Sequence, residues 1–199
     1  MIDFINNNQS YPYVLFRDFY SEALKKSQKN IEAICISSYD SKINEVQARF
    51  VNLKYIKNEE WIFFSNYKSP KAKSFENHNQ ITASFFWNTT YTQVRIKAKI
   101  SKTDENFSDY HFNKRSIEKN ALAISSDQSQ QIDSYKEVKN NYEKTIKNID
   151  SSIKRPNYWG GYSFKPYYFE FWQGNEKRLN ERTIFEYVDG TWKKYFLQP

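Results

Sequence analysis

The segment Thr92–Ser101 constrains this chain most. In it Gln93, Arg95, Lys97 and Lys99 alternate with Val94, Ile96, Ala98 and Ile100. A period of two is the repeat of a β-strand with one wet face and one dry face. Such a strand needs hydrogen-bonded neighbours and a layer over its dry side. The composition is suited to both: aromatic residues are 19% of the 199 residues, with 16 Tyr and 16 Phe. Aromatic side chains favour pleated, half-buried surfaces.

Further strands are expected at Ile31–Ser38, Glu45–Lys54, Glu60–Asn66, Ile81–Trp87 and Tyr167–Trp172. Tyr39-Asp40-Ser41-Lys42 and Asn88-Thr89-Thr90 read as turns, and residues 55–59 as a polar hairpin loop. Arg155–Gly161 (RPNYWGG) reads as a rigid turn and Gln173–Glu181 as a loop. A last hairpin, Thr183–Tyr187 with Trp192–Phe196, closes through Asp189-Gly190, a dipeptide suited to a tight hairpin turn. Helices are expected at about 14–28, where Phe16, Phe19, Tyr20 and Leu24 recur at helical spacing. Another begins at Ser69-Pro70, a favoured N-cap and N1 pair. Residues 103–150 form a helical insert: a capped start at Thr103-Asp104-Glu105 running to Arg115, then Glu118–Ser125, then the charged Ser134–Asn148. Strands without β-α-β alternation imply an α+β fold. The expectation is an antiparallel, closed or nearly closed β-barrel with flanking helices, ending in strands over 167–199. Without a linker or repeat, residues 1–199 read as one domain.

Several functions are disfavoured. With 4 Gly, the chain has neither a P-loop nor a dinucleotide fingerprint. His78 and His111 have no partners at metal-ligand spacing, so no metal is expected. The single cysteine, Cys35, lies in an apolar run and reads as an inert packing residue in a reducing compartment. The opening MIDFINNNQS lacks the basic and apolar regions of a signal peptide, and no apolar run reaches membrane-spanning length. A cytoplasmic protein is expected. The net charge of +7 attracts anions. The cations gather in a few clusters and no recognition helix is evident, so nucleic acid is not the expected partner. If the protein is an enzyme, a cofactor carries its chemistry.

Four clusters could hold such a cofactor. Arg49-Phe50-Val51-Asn52-Leu53-Lys54 is a strand with a cation at each end. Phe64-Ser65-Asn66, followed by Ser69-Pro70-Lys71, sets a hydroxyl and a lysine beside a helix N-terminus, which favours a phosphate. Gln93 offers a donor and an acceptor from the wet face of its strand. Phe171 to Arg182 (FWQGNEKRLNER) ends a strand in Trp172, turns at Gly174, and carries Arg178 and Arg182 four apart. Trp stacks on rings and Arg binds phosphate bidentately.

In this order the clusters resemble the pyridoxamine 5′-phosphate oxidase family, over about residue 12 to the end. PNYWGGYSF, EFWQGNEKRLNER and DGTWKKYFLQP carry the resemblance most specifically, and ARFVNLK and SNYKSPKAKSFENH extend it. It implies an FMN-binding split β-barrel, a homodimer, and oxidation of pyridoxine or pyridoxamine 5′-phosphate to pyridoxal 5′-phosphate with O2, giving H2O2. The alternatives are a phenazine-pathway FMN oxidase of the same family, or a flavin-binding module without activity. By position the resemblance assigns FMN to Arg49, Phe50, Val51, Asn52, Leu53, Lys54, Phe64, Ser65, Lys71, Gln93, Trp172 and Arg182. Gln128 and Ser129 join them from the second subunit. For the substrate it implies Lys54, Tyr110, Lys114 or Arg115, and Arg178, with Arg178 and Asn180 as the catalytic pair. The family pattern is departed from where Pro70 stands for an arginine and Asn180 for a histidine, and the segment HFNKRSIEKN lacks the family's RPR pattern and carries one extra residue. The first removes a charge-assisted bond of about 1.5–3 kcal/mol. The second removes a group that titrates near neutral pH.

Overall fold

The computed structural model describes residues 1–150 and 152–199. The chain begins with β1 (Asp3–Ile5), α1 (Tyr11–Lys25), β2 (Ala33–Asp40), β3 (Glu45–Asn52), β4 (Tyr55–Lys57) and β5 (Glu60–Asn66). It continues with α2 (Pro70–Asn77), β6 (Gln80–Trp87), β7 (Thr92–Lys102), α3 (Glu105–Lys114), α4 (Ile117–Ser125) and α5 (Tyr135–Asn148). It ends with β8 (Trp159–Gln173), β9 (Glu181–Val188) and β10 (Thr191–Phe196). The fold is α+β, as the unalternated run of strands implied.

All the strands join one sheet, in the order β1-β4-β5-β8-β7-β6-β2-β3, with β9 and β10 branching from β8. Every ladder is antiparallel except β1 with β4. No ladder among the described residues joins the path's two ends, so hydrogen bonds do not close the barrel. This is the split barrel that the resemblance implies, and of the closed or nearly closed barrel read from the strand pattern it is the second.

β7 alternates as its sequence demands, with Val94, Ile96, Ala98 and Ile100 buried. Its partner β8 starts at Trp159, eight positions before the expected strand and inside the expected rigid turn. The glycines there are not punctuation. A Cβ on Gly160 would strike the Tyr67 side chain, and one on Gly161 the Thr103 methyl. They mark close approach within a strand. β8 also absorbs Pro166, where the β7 register shifts between Lys97 and Ala98 and leaves Tyr167 as the extra residue of a bulge. Residues 55–59 are likewise not all loop. β4 pairs with β5, and the N-terminal β1 adds to it in parallel, with Asp3 opposite Tyr55. Tyr39 and Asp40 extend β2 rather than turning.

Helix α1 begins and ends three residues before the expected 14–28. Pro12 fits its first turn. At its end Ser27 adopts φ 58° while Gln28 N–H bonds the Ala23 carbonyl, which closes the helix in a Schellman motif. Tyr13, Phe16, Tyr20 and Ala23 are buried, whereas Leu24 is exposed. Phe16 packs on Trp61 at 4.5 Å between ring centroids and also meets Phe85 and Trp87. Burying each such ring contributes on the order of 2 kcal/mol. The β9–β10 turn has φ 51° at Asp189 and 80° at Gly190, the paired positive values of a type I′ hairpin. Among the described residues, no helix is long and apolar enough to cross a membrane.

Candidate active site

A cleft of about 840 Å³ opens beside the edge strand β3. Arg49, Phe50, Val51, Asn52 and Lys54 line one side. Phe64 and Ser65 of β5 and Pro70 and Lys71 of α2 continue the wall, and Gln128 and Ser129 complete it. Among the described residues, five cations face the cleft (Arg49, Lys54, Lys71, Arg115 and Lys119), and no Asp or Glu lines it. That balance is built for an anion.

Two groups of cations can be told apart by their neighbours. In the first, Lys71 is only 7% exposed, and its Nζ donates to Ser69 Oγ at 3.2 Å. Burial, then the nearby Arg49, pushes the Lys71 ammonium down to about 8. Arg49 is braced by Ser38 Oγ and by Gln47 Oε1, each 2.9 Å away. Ser65 Oγ is buried with no partner. Ser69 does not cap α2 with its side chain; its hydroxyl bonds the Asn66 carbonyl at 2.7 Å and so stays beside Lys71. A buried ammonium without a carboxylate, next to an orphaned hydroxyl, is costly unless an anionic group completes it.

The second group lies where α3 meets α4. The ring of His111 stacks on Phe64 at 3.7 Å and 13°, and Trp159 lies nearly parallel to both. The Arg115 guanidinium sits 4.4 Å over the Trp159 ring and donates to the Lys119 carbonyl at 2.8 Å. Its NH1 is buried with no partner among the described residues. Burial lowers it to about 10, so it stays charged at neutral pH.

The structure brings Arg49, Phe50, Val51, Asn52, Lys54, Phe64, Ser65, Lys71, Arg115, Gln128 and Ser129 together. Leu53 is fully buried in the core, and only its neighbours reach the cleft. Gln128 and Ser129 lie in the same chain's cleft, where Gln128 Oε1 accepts from Asn66 N–H at 3.3 Å. This corrects their expected place on a second subunit. Tyr110 and Lys114 do not line the cleft. Lys114 Nζ donates to Tyr110 Oη at 3.0 Å on another face of α3.

Gln93, Trp172 and Arg182 also lie outside the cleft. They form one cross-strand row, Gln93 opposite Trp172 and Trp172 opposite Arg182. Arg182 is held by the buried carboxylate of Glu170, 2.8 Å away, which also pairs with Arg95 at 2.5 Å. Arg178 and Asn180 sit in the loop after β8. Arg178 has φ 60°, and Asn180 Oδ1 accepts from Asn175 N–H at 3.1 Å.

The sequence reading missed His111, Lys119 and Trp159, all of which line the cleft. Phe112 was the available signal. It and Ser108 are the buried positions of α3. Residue 111 flanks that buried face and residue 110 lies opposite, because each residue turns the helix by about 100°.

Residues 159–199 match the family model described as the pyridoxine 5′-phosphate oxidase C-terminal dimerisation region. A pyridoxine/pyridoxamine 5′-phosphate oxidase of Cytophaga hutchinsonii is 33% identical over 191 residues, 94% of this chain and 88% of that protein. The chain belongs to the pyridoxine/pyridoxamine 5′-phosphate oxidase family. A relative of the same name from Leptospira interrogans is 31% identical over 98% of this chain and 92% of its own length. Among solved structures, PhzG of Burkholderia lata in complex with tetrahydrophenazine-1-carboxylic acid superposes with a TM-score of 0.89. It is 21% identical and covers 96% of this chain and 93% of its own, a likeness of fold. A pyridoxamine 5′-phosphate oxidase-related, FMN-binding protein of Nostoc punctiforme gives a TM-score of 0.76 at 12% identity, over 92% of this chain and 97% of that one. Membership of the oxidase family makes this chain an FMN-dependent oxidoreductase. The orphaned Ser65 hydroxyl and the unpaired Lys71 ammonium are what the phosphate of FMN requires.

Proposed function

We propose that this chain is an FMN-dependent oxidase of pyridoxine or pyridoxamine 5′-phosphate, working as a homodimer. Bound FMN would supply a two-electron acceptor for the hydride of the substrate's C4′ carbon, whose hydroxyl or amine proton goes to solvent, and O2 would take up the two electrons with two protons to give H2O2. The observation that carries the reading is the acid-free cleft with two groups of cations, one for each of two phosphates. Arg49, Lys71 and Ser65 hold the cofactor phosphate. Phe50, Val51, Asn52, Phe64, Gln128 and Ser129 flank the flavin. Lys54 and Arg115 hold the phosphate of the substrate. Gln93, Trp172, Arg178, Asn180 and Arg182 lie outside their own chain's cleft and serve the cleft of the second copy. Arg178 there orients the substrate ring, and the protein's part is positioning and fixed charge. The single-domain reading of residues 1–199 and a cytoplasmic setting belong to the same proposal.

The test is the visible spectrum of the FMN-loaded protein mixed without oxygen with pyridoxine 5′-phosphate. The flavin band is expected to bleach and to return on admitting air, with one H2O2 formed per turnover. A yellow protein that does not bleach overturns the substrate assignment. Bleaching by an unphosphorylated heterocycle, without competition from free phosphate, turns the reading to the phenazine-type oxidase.

A further inference from the structure

His111 is set apart from the chain's other histidine by what surrounds it. Its Nδ1 is 2.8 Å from Tyr55 Oη. Its ring is clamped flat against Phe64 and lies parallel to Trp159. Its Nε2 has no protein partner among the described residues and is not among the buried orphaned atoms, so it meets the open cleft that the ring lines. The charged groups around it are Lys54 between β3 and β4, Lys114 and Arg115 at the end of α3, and Lys119 on α4. Phe64 and Trp159, from β5 and β8, bring no charge. Two acids lie near this corner: Glu32 pairs with Lys54 at 3.8 Å, and Asp3 of β1 acts on Tyr55. Burial and then the four cations hold His111 far below its usual value, at about 3. Tyr55 keeps its proton, since burial raises it. It can therefore donate to Nδ1, which leaves the ring proton on Nε2.

Resting on the oxidase reading above, we propose that His111 is a specificity-determining residue for the substrate's phosphate. Tyr55 fixes its tautomer, and its Nε2–H joins Arg115 and Lys119 in binding that group. The imidazole acts as a fixed dipole, not as a charge. It recognises an anion by direction while the cations supply attraction, and the Phe64–His111 stack fixes where the donor points. The residue touches substrate but takes no part in hydride transfer, so its removal is read in KM and not in kcat.

The experiment uses FMN-loaded protein labelled with 15N-histidine. The chain has 2 His, so His111→Phe assigns both rings. Between about pH 5 and 8, the range in which an ordinary histidine titrates, His111 is expected to stay neutral with its proton on Nε2. Pyridoxal 5′-phosphate is expected to move the Nε2 resonance, and pyridoxal to leave it in place. In turnover, His111→Phe is expected to raise KM by about tenfold or more, the loss of one hydrogen bond to a charged group. Its kcat and flavin spectrum stay as in the wild type, and His111→Gln recovers most of the KM. A proton on Nδ1, an Nε2 signal indifferent to pyridoxal 5′-phosphate, or an unchanged KM in His111→Phe overturns the proposal. The two readings fail separately. If the wild type turns over no phosphorylated pyridine, the oxidase reading falls, and titration with inorganic phosphate still decides: a shifted Nε2 upholds His111 as an anion donor, and an unmoved one removes it.

Discussion

Lys71 is the residue whose surroundings ask most for a ligand. Its ammonium is buried beside Arg49 with only a serine hydroxyl as partner, and it sits at about 8 instead of 10.5. A bound phosphate keeps it charged. Above about pH 8 the free protein has lost that proton, so binding must take one up. FMN affinity is then expected to fall by about tenfold per pH unit above 8, as one-proton linkage requires. Flavin fluorescence titrations across pH 7 to 10 check this. Lys71→Met is expected to weaken FMN by about 1.5–3 kcal/mol near neutral pH and to flatten the dependence above 8. The same change removes an unpaired buried charge, so the flavin-free variant is expected to melt no lower than the wild type. His111 gives the opposite end of the pH scale. Its folded value of about 3 lies below the 6.5 of an ordinary histidine, so the unfolded chain binds the extra proton between them. Stability is therefore expected to fall as pH drops from 6.5 towards 3. His111→Phe should remove its share of that slope in melting curves of the flavin-free protein.

At the scale of elements, the strands with strong periodicity were legible and those shaped by close approach were not. β7 follows from its own alternation, and the Asp189-Gly190 hairpin from its turn chemistry. The early start of β8 did not show, because WGG reads locally as a turn. What makes it a strand is Tyr67 and Thr103 crowding against the two glycines, a tertiary fact. Helix α3 was legible as a helix but not in its phase. Tyr110 with Lys114 and His111 with Arg115 have the same spacing, and only the burial of Phe112 separates the inward pair from the outward one. The cation-bearing strand and the Ser65–Lys71 corner were found because short-range order alone sets them. The glycine reading is testable. Gly161→Ala would press on the Thr103 methyl and approach Phe64, 3.1 Å from the new Cβ. It is expected to cost about 1–3 kcal/mol, a drop in Tm of about 2–4 °C for each kcal/mol. Thr103→Ser, which deletes that methyl, should restore much of the loss when combined with it. Additive effects of the two changes in thermal melts would refute the clash.

At the scale of the whole molecule, the residues proposed for the site fall on two surfaces that one chain does not bring together. The cleft lies along β3, β5 and the α3–α4 corner. Gln93, Trp172 and Arg182 run across β7, β8 and β9, and Arg178 stands in the loop beyond them. Phe50 in the cleft and Phe86 opposite Gln93 are exposed at 72% and 55%. In the homodimer we propose, each cleft is completed by the other chain's row and loop, and that proposal predicts complementation. Lys71→Met cripples the cleft of its own chain, while Arg178→Ala cripples the loop lent to the other. Each homodimer then has two defective sites. In a mixed dimer one site carries both faults and the other carries neither. With random exchange half the dimers are mixed, so the refolded mixture should recover about a quarter of wild-type activity, by the symmetry of a two-fold assembly. If Arg178 instead serves its own chain, every site in every dimer keeps one fault, and mixing the two variants recovers nothing.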